Sequence, residues 1–359
     1  MHFSFGEYNT EVIITREIPQ INVIAENFLN SIIIADKNTA YIAEKIRGIH
    51  NIPLCILESG EENKNWQSAE KILECAHNKK LGRDGLFLAA GGGVIGDLSG
   101  FAASIYKRGC RFALISTTLL GMTDASVGGK TGFDLFDIKN LIGTFYPAEK
   151  VFIPADVLIT LPQNEWKSGM AELLKTAILS GSGELMDLIS ANREDLKQFN
   201  SEKIDLLLKL IEKAVLFKGC IVSEDPKETG SKRILLNLGH TFGHALESTA
   251  GLGKISHGEA VAWGMVRACD LGSSVGITPK ERAAEIKELI ASFGYSCVYP
   301  AELSGNADML FNAMKNDKKN KSNSLRFIVP DAKGACPVTF DSEKETKLII
   351  NILKGGIAQ

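Results

Sequence analysis

Paired cysteines, long apolar runs and a surplus of either charge are all missing from this 359-residue sequence. Its seven cysteines (Cys55, Cys75, Cys110, Cys220, Cys269, Cys297 and Cys336) stand singly, with no Cys-x-x-Cys pair. An odd, dispersed set excludes a disulfide framework and a thiolate zinc site, and reads as reduced thiols in a cytoplasmic protein. No uncharged apolar stretch approaches the ~20 residues that a membrane helix needs. The opening segment carries Glu7 and Glu11 and has no basic stretch ahead of an apolar run, so it is not expected to act as a secretory signal. A formal charge of -3 argues against nucleic-acid and membrane partners while leaving room for a local basic pocket.

What is present is globular. Apolar residues make up 45% of the chain and charged residues 23%, enough to build large cores and to exclude wholesale disorder. At ~150 residues per domain the length suggests two lobes. Short β-rich runs over 11–15, 31–35, 53–57, 86–90, 112–116 and 151–153 alternate with amphipathic stretches such as Trp66–Asn78. Strands separated by helices imply βαβ crossovers and a largely parallel, doubly wound sheet. After Leu161-Pro162 the pattern turns helical, over 184–191, 204–214, 258–272 and 280–293, until a β-rich run at 325–329. The expected fold is α/β, with an N-terminal domain over 1–160 and a mainly α-helical domain over 161–359. The basic run Lys315–Lys321 reads as a solvated loop.

One turn carries chemistry. Gly91-Gly92-Gly93-Val94-Ile95-Gly96-Asp97 follows a buried-type strand and precedes a plausible helix over 98–104. Glycines let backbone approach a phosphate closely, and a helix N-terminus then offers unpaired N–H groups to the anion. The run fits G-x-G-x-x-G in strand–turn–helix context, although a tight structural turn would look alike. No acid ends the next strand, where a dinucleotide ribose would ordinarily be read, so another segment must hold that ribose. Asp36 and Glu61 are available. The cluster Val127-Gly128-Gly129-Lys130-Thr131 imitates a P-loop, but Asp124 stands where Walker A needs glycine, which weighs against an ATPase or kinase.

Three of the six histidines, His240, His244 and His257, fall within eighteen residues, while His2, His50 and His77 have no such company. Two histidines four apart share a helix face, so His240 and His244 fit either a divalent-metal pair or two packed side chains. A metal would want a carboxylate as well. Glu172, with Lys175 at i+3 on one helix face, is either an ordinary surface pair or a partly buried carboxylate among Met170, Leu173, Leu174 and Ile178.

Taken in order, GGGVIGDLSGF (91–101), Lys107-Arg108-Gly109, TTLLGMTDASVGGKTG (117–132), Lys139-Asn140, GMAELLK (169–175), NLGHTFGHALE (237–247), HGEAVAWGM (257–265) and Asp317-Lys318-Lys319 closely resemble the 3-dehydroquinate synthase family of sugar-phosphate cyclases. The resemblance implies a Rossmann-like NAD-binding domain followed by a mainly α-helical, metal-binding domain. It implies conversion of 3-deoxy-D-arabino-heptulosonate 7-phosphate to 3-dehydroquinate and phosphate, a step of aromatic amino acid biosynthesis, with NAD+ returned unchanged. Zinc or cobalt is the implied metal and a homodimer the implied assembly. Glu172, His240 and His257 are then the implied metal ligands, which moves His244 into the catalytic set.

The same resemblance implies a polar pocket of Arg108, Asp124, Lys130, Lys139, Asn140, Lys175, Lys218, Arg233, Asn237, His244 and Lys318. On the NAD side it implies Asp36, Asn38, Glu61, Lys64, Gly92, Gly93, Asp97, Thr117, Thr118, Leu120, Lys130, Lys139 and Thr160. Arginine grips carboxylate or phosphate in a bidentate way and lysine adds compact positive charge, as a doubly anionic substrate requires. Asp225-Pro226 departs from the family's usual pair of acids, and the stretch to Arg233 is one residue longer than is typical. Arg233 is preferred to Lys232 for its spacing to Asn237, and Lys318 to Lys319. The rival readings are a sister cyclase making valiolone-type or 2-deoxy-scyllo-inosose products, a metal-dependent alcohol dehydrogenase, and an inactive NAD-binding protein. Sister cyclases commonly replace members of the set Arg233, Asn237, His244 and Lys318, and all four are present here.

Overall fold

A computed structural model describes residues 1–26, 28–136, 138–181, 183–251, 253–315, 324–341 and 344–358. Lys318, with Asp317 and Lys319, lies outside the described residues, as does the basic run beyond Lys315. The chain divides into two compact units, one of 1–162 with 200–227 and the other of 163–199 with 228–359.

In the first unit the strands are β1 (His2–Phe5), β2 (Tyr8–Thr15), β3 (Ser31–Asp36), β4 (Leu54–Leu57), β5 (Leu86–Gly91), β6 (Arg111–Ser116), β7 (Lys130–Leu135), β8 (Ile138–Phe145) and β9 (Lys150–Pro154). Seven of them form one sheet in the order β1-β2-β9-β6-β5-β3-β4. Neighbours from β2 to β4 run parallel, and β1 adds antiparallel at the edge. All six β-rich runs expected in the first half are strands of this sheet. β5 is buried along its whole length, and β3 is buried up to Asp36, as expected for apolar strands covered on both faces. The helices α1 (Ile21–Ile24), α2 (Ala40–Arg47), α3 (Trp66–Asn78) and α4 (Gly93–Ile105) fall between the strands.

The connectivity reverses at β3. β4 lies on one side of it and β5 on the other, with β6 and β9 continuing outward from β5. The carboxyl ends of β3 and β5 therefore flank a topological switch point, the usual place for a ligand in an open α/β sheet. Gly91 is in register with Ser116, so the turns after β5 and β6 emerge side by side there.

β7 and β8 form a separate antiparallel ribbon that the strand pattern did not suggest. β8 is exposed or half-buried throughout, so its sequence lacks an alternating apolar face. Glycine marks its close pairing: a Cβ on Gly132 would lie 2.2 Å from the Ile142 carbonyl oxygen.

After α5 (Gln163–Ser180) and α6 (Glu184–Ala191) of the second unit, the chain returns to the first for α7 (Ile204–Glu224). Gly219 sits against the Phe3 ring, where a Cβ would come within 2.2 Å, so α7 packs on the strand that opens the chain. The second unit then continues with α8 (His240–Ala250), α9 (His257–Ser274), α10 (Lys280–Ser292), α11 (Ala301–Ser304), α12 (Ala307–Lys315) and α13 (Thr346–Lys354). Two short pairings complete it, β10 (Tyr299–Pro300) with β13 (Ile357–Ala358), and β11 (Ser324–Pro330) with β12 (Ala335–Asp341). Among the described residues no helix is long and apolar enough to cross a membrane, and all seven cysteines are free thiols.

Candidate active site

The second unit holds a carboxylate and two imidazoles brought together by close backbone packing. Glu172 comes from the middle of α5, His240 opens α8 and His257 opens α9. Gly258 presses α9 onto α5: its N–H donates to the Ser168 hydroxyl at 3.1 Å, and a Cβ would come within 2.4 Å of the Ser168 Cα. Ser168 lies one turn before Glu172, so this contact sets the carboxylate beside His257. Along the other side of α9, a Cβ on Gly264 would lie 2.0 Å from the Gly239 carbonyl oxygen, and one on Gly243 would lie 2.9 Å from the Ala260 carbonyl oxygen. Gly239 immediately precedes His240. A capping box fixes the start of α9, with Ser256 accepting from the Glu259 N–H and Glu259 accepting from Ser256.

The ligand atoms of Glu172, His240 and His257 all lie within 4.8 Å of one another. Glu172 is 1% exposed, and its Oε1 lies 3.3 Å from His257 Nε2 and 3.7 Å from His240 Nε2. Its Oε2 meets the Lys175 ammonium, which is also buried. Neither carboxylate oxygen has a hydrogen bond of good geometry. Burial alone would raise the Glu172 pKa, but the Lys175 charge and His257 hold it down at about 2. Burial likewise works against a charged His257, yet its bonds to Glu172 and Glu247 lift its pKa to about 10. A buried, under-bonded carboxylate facing two imidazole nitrogens has the donor set of a three-ligand divalent-metal site. The residues present fit such an ion.

His244 stands one turn beyond His240, with ring centroids 5.4 Å apart, and 6.3 Å from His257. Arg233 is buried in the 3-10 turn Arg233–Asn237 that leads into α8. The Asn237 amide at the end of that turn donates to Glu228 at 2.7 Å. Glu228 is an acid that the sequence reading did not single out.

In the first unit a second cluster gathers at the sheet's carboxyl edge. Gly92 caps α4 and packs so closely on Thr118 that a Cβ would come within 2.8 Å of its methyl. Gly121 tucks under the same turn, its N–H donating to the Thr118 hydroxyl at 3.0 Å. Gly92, Gly93, Asp97, Ser126 and Lys130 line one cleft there. Asp97 pairs with the buried Lys64 at 2.6 Å, and the same ammonium donates to the Asn140 side chain at 2.6 Å. Burial raises the Asp97 pKa against the pull of Lys64. Burial also acts to lower the pKa of Lys64, but Asp97, Glu61 and Asp134 raise it, so the ammonium stays charged.

Lys218, from α7, donates to the Asp124 carbonyl oxygen at 2.6 Å and pairs with its carboxylate at 2.9 Å. Asp36 ends β3 and accepts from the Thr39 N–H at 2.9 Å, with Asn38 in the same turn. The Thr160 hydroxyl lies 2.9 Å from that of Tyr41. Arg108 and Asn140 both hold left-handed backbone, with φ of 65° and 51°. Glu61 occupies the turn before Lys64, Thr117 and Leu120 flank Thr118, and Lys139 sits on the exposed face of β8.

Residues 54–168 match the 3-dehydroquinate synthase N-terminal family and residues 169–320 the 3-dehydroquinate synthase C-terminal family. The chain belongs to the 3-dehydroquinate synthase family. A 3-dehydroquinate synthase of Prochlorococcus marinus is 42% identical over 298 residues, covering 83% of this chain and 80% of that protein. Among solved structures, a 2-deoxy-scyllo-inosose synthase complexed with carbaglucose-6-phosphate, NAD+ and Co2+ superposes with a TM-score of 0.82 at 24% identity, over 99% of both chains. A 2-epi-5-epi-valiolone synthase from Streptomyces hygroscopicus, with NAD+ and Zn2+ bound, gives 0.83 at 24% identity, over 98% of both chains. These two show that the chain shares its fold with those synthases.

Proposed function

We propose that this chain is a 3-dehydroquinate synthase that converts 3-deoxy-D-arabino-heptulosonate 7-phosphate to 3-dehydroquinate and inorganic phosphate. The observation that carries the proposal is the buried Glu172 facing both His240 and His257 in a chain of this family. The reaction runs through transient oxidation of a substrate alcohol, β-elimination of phosphate, reduction of the ketone and an intramolecular aldol closure. When bound, NAD+ would supply the hydride acceptor and donor, and a divalent ion held by Glu172, His240 and His257 would supply Lewis acidity.

The chain's own residues divide the remaining work. Glu172, His240 and His257 would hold the ion, with Lys175 keeping the Glu172 carboxylate ionised. The second unit would bind metal and substrate, contributing Arg233, Asn237 and His244 beside the triad. The first unit would bind NAD+, with the N–H groups that open α4 at Gly92 and Gly93 meeting the pyrophosphate. Asp36 ends the strand beside β5 at the switch point and is the acid best placed to accept from a ribose hydroxyl. Asn38, Glu61, Thr117, Thr118, Leu120 and Thr160 would complete the cofactor contacts, with Lys64 held in place by Asp97 and Asn140. Arg108, Asp124, Lys130, Lys139, Lys218 and Lys318 complete the polar set, whose cations would meet the substrate carboxylate and phosphate. The same proposal takes the protein to be a cytoplasmic homodimer.

His257→Ala tests the division of labour. It should abolish retention of zinc or cobalt and phosphate release, while NAD+ binding persists within about twofold. Loss of NAD+ and metal binding together would contradict it.

A further inference from the structure

α8 carries more than the proposed ligand His240 on one of its faces. His240, His244 and Glu247 recur at i, i+4 and i+7, which places all three on one stripe of the helix. The first two belong to the ligand and polar sets already named, and the third has no part in either. Glu247 Oε2 lies 3.5 Å from His257 Nδ1, and its side chain is 9% exposed. On the opposite edge of the same ring, Nε2 faces Glu172 at 3.3 Å.

His240 repeats the arrangement. Its Nδ1 lies 3.1 Å from the Leu238 carbonyl oxygen while its Nε2 faces Glu172. Both imidazoles thus present Nε2 to the same carboxylate and have an oxygen acceptor behind Nδ1. An acceptor behind the far nitrogen fixes which nitrogen carries the proton, sets the ring plane and strengthens the near nitrogen as a donor.

We infer that Glu247 is a positioning residue for the metal: it accepts the Nδ1–H of His257 and so holds that ring with its Nε2 lone pair toward the ion shared with Glu172 and His240. The inference rests on the metal reading of those three residues. It goes beyond that reading by assigning a role to a carboxylate outside the proposed ligand set. Partners of this kind typically set metal affinity by 10- to 100-fold.

The test is cobalt and zinc titration of the full-length protein against a competing chelator. The visible absorption of the cobalt form is recorded beside thermal unfolding of the metal-free form. Glu247→Gln should weaken metal binding 10- to 100-fold and shift the cobalt bands. Glu247→Asp, which keeps the charge at shorter reach, should recover part of that loss. NAD+ binding should match wild type in both. Wild-type metal affinity and an unchanged cobalt spectrum in Glu247→Gln would overturn the inference. So would weakened binding with unchanged bands that Glu247→Asp does not partly restore, because that pattern marks a general packing defect. If Glu247→Gln does not fold, Glu247→Asp decides alone, and wild-type affinity there would overturn the inference. Failure of the underlying metal reading has its own signature: wild type and His257→Ala would then bind cobalt alike.

Discussion

Gly264→Ala probes the packing that assembles the triad. The added Cβ would stand 2.0 Å from the Gly239 carbonyl oxygen, about 1.4 Å short of ordinary contact, and 2.9 Å from the Gly243 nitrogen. Both obstacles are backbone, so no rotamer change relieves them and α8 must recede from α9. Overpacking of this kind costs ~1–3 kcal/mol. Gly239 is covalently joined to His240, so the recoil falls on a proposed ligand. Metal–ligand distances tolerate only about 0.2 Å of error, well below the displacement required. Gly264→Ala should therefore lower the denaturation midpoint and weaken cobalt binding at least tenfold, with NAD+ binding unchanged. Paired measurements of denaturation and chelator-competed cobalt binding read both effects, with the exposed Ser248→Ala on α8 as the control. Wild-type stability together with wild-type metal affinity would refute the argument that glycine contact sets the ligand spacing.

Four further outcomes follow from the same geometry. Glu172→Gln removes one partner of a buried ammonium, so it should destabilise the metal-free protein in a urea titration as well as abolish metal retention. Glu172 is lowered from 4.5 to about 2, so its contribution to stability is present above pH 4.5 and lost as pH falls toward 2. His257 is raised from 6.5 to about 10, so its contribution is present below pH 6.5 and lost as pH rises toward 10. Denaturation of the metal-free protein across pH should find the triad's contribution greatest between those limits. Metal uptake, which displaces the His257 proton, should strengthen as pH rises through the same range. Gly92→Ala places a Cβ 2.8 Å from the Thr118 methyl and obstructs the turn that opens α4, so calorimetry should show NAD+ binding weakened more than tenfold with metal content intact.

The sheet was legible because its strands are apolar runs closed by glycine or polar turns, with Gly91–Gly93 in the place a ligand turn should occupy. For Glu172 the sequence left a surface pair and a partly buried carboxylate equally open, and the structure buries the side chain. α7 was legible as a helix only over its first half, 204–214, and its amphipathic pattern says nothing of what it packs against; the contact of Gly219 with Phe3 spans over two hundred residues. The β7–β8 ribbon escaped because its second strand is solvent-facing and carries no period-two signal. Glu247 could have been found from the i, i+4, i+7 stripe with His240 and His244. A carboxylate near the end of a helix ordinarily reads as solvated, and only the fold brings the start of α9 against it. The glycines at 258 and 264 gave no sign of their role, since close backbone approach between helices has no local sequence signature.

The most direct measurement of the central claim is product formation by the intact protein given 3-deoxy-D-arabino-heptulosonate 7-phosphate, a catalytic amount of NAD+ and zinc or cobalt. Phosphate and 3-dehydroquinate should form in equal amounts, with no net NADH and with loss of turnover on chelation. No phosphate release from this substrate, with turnover of a different sugar phosphate, would contradict it.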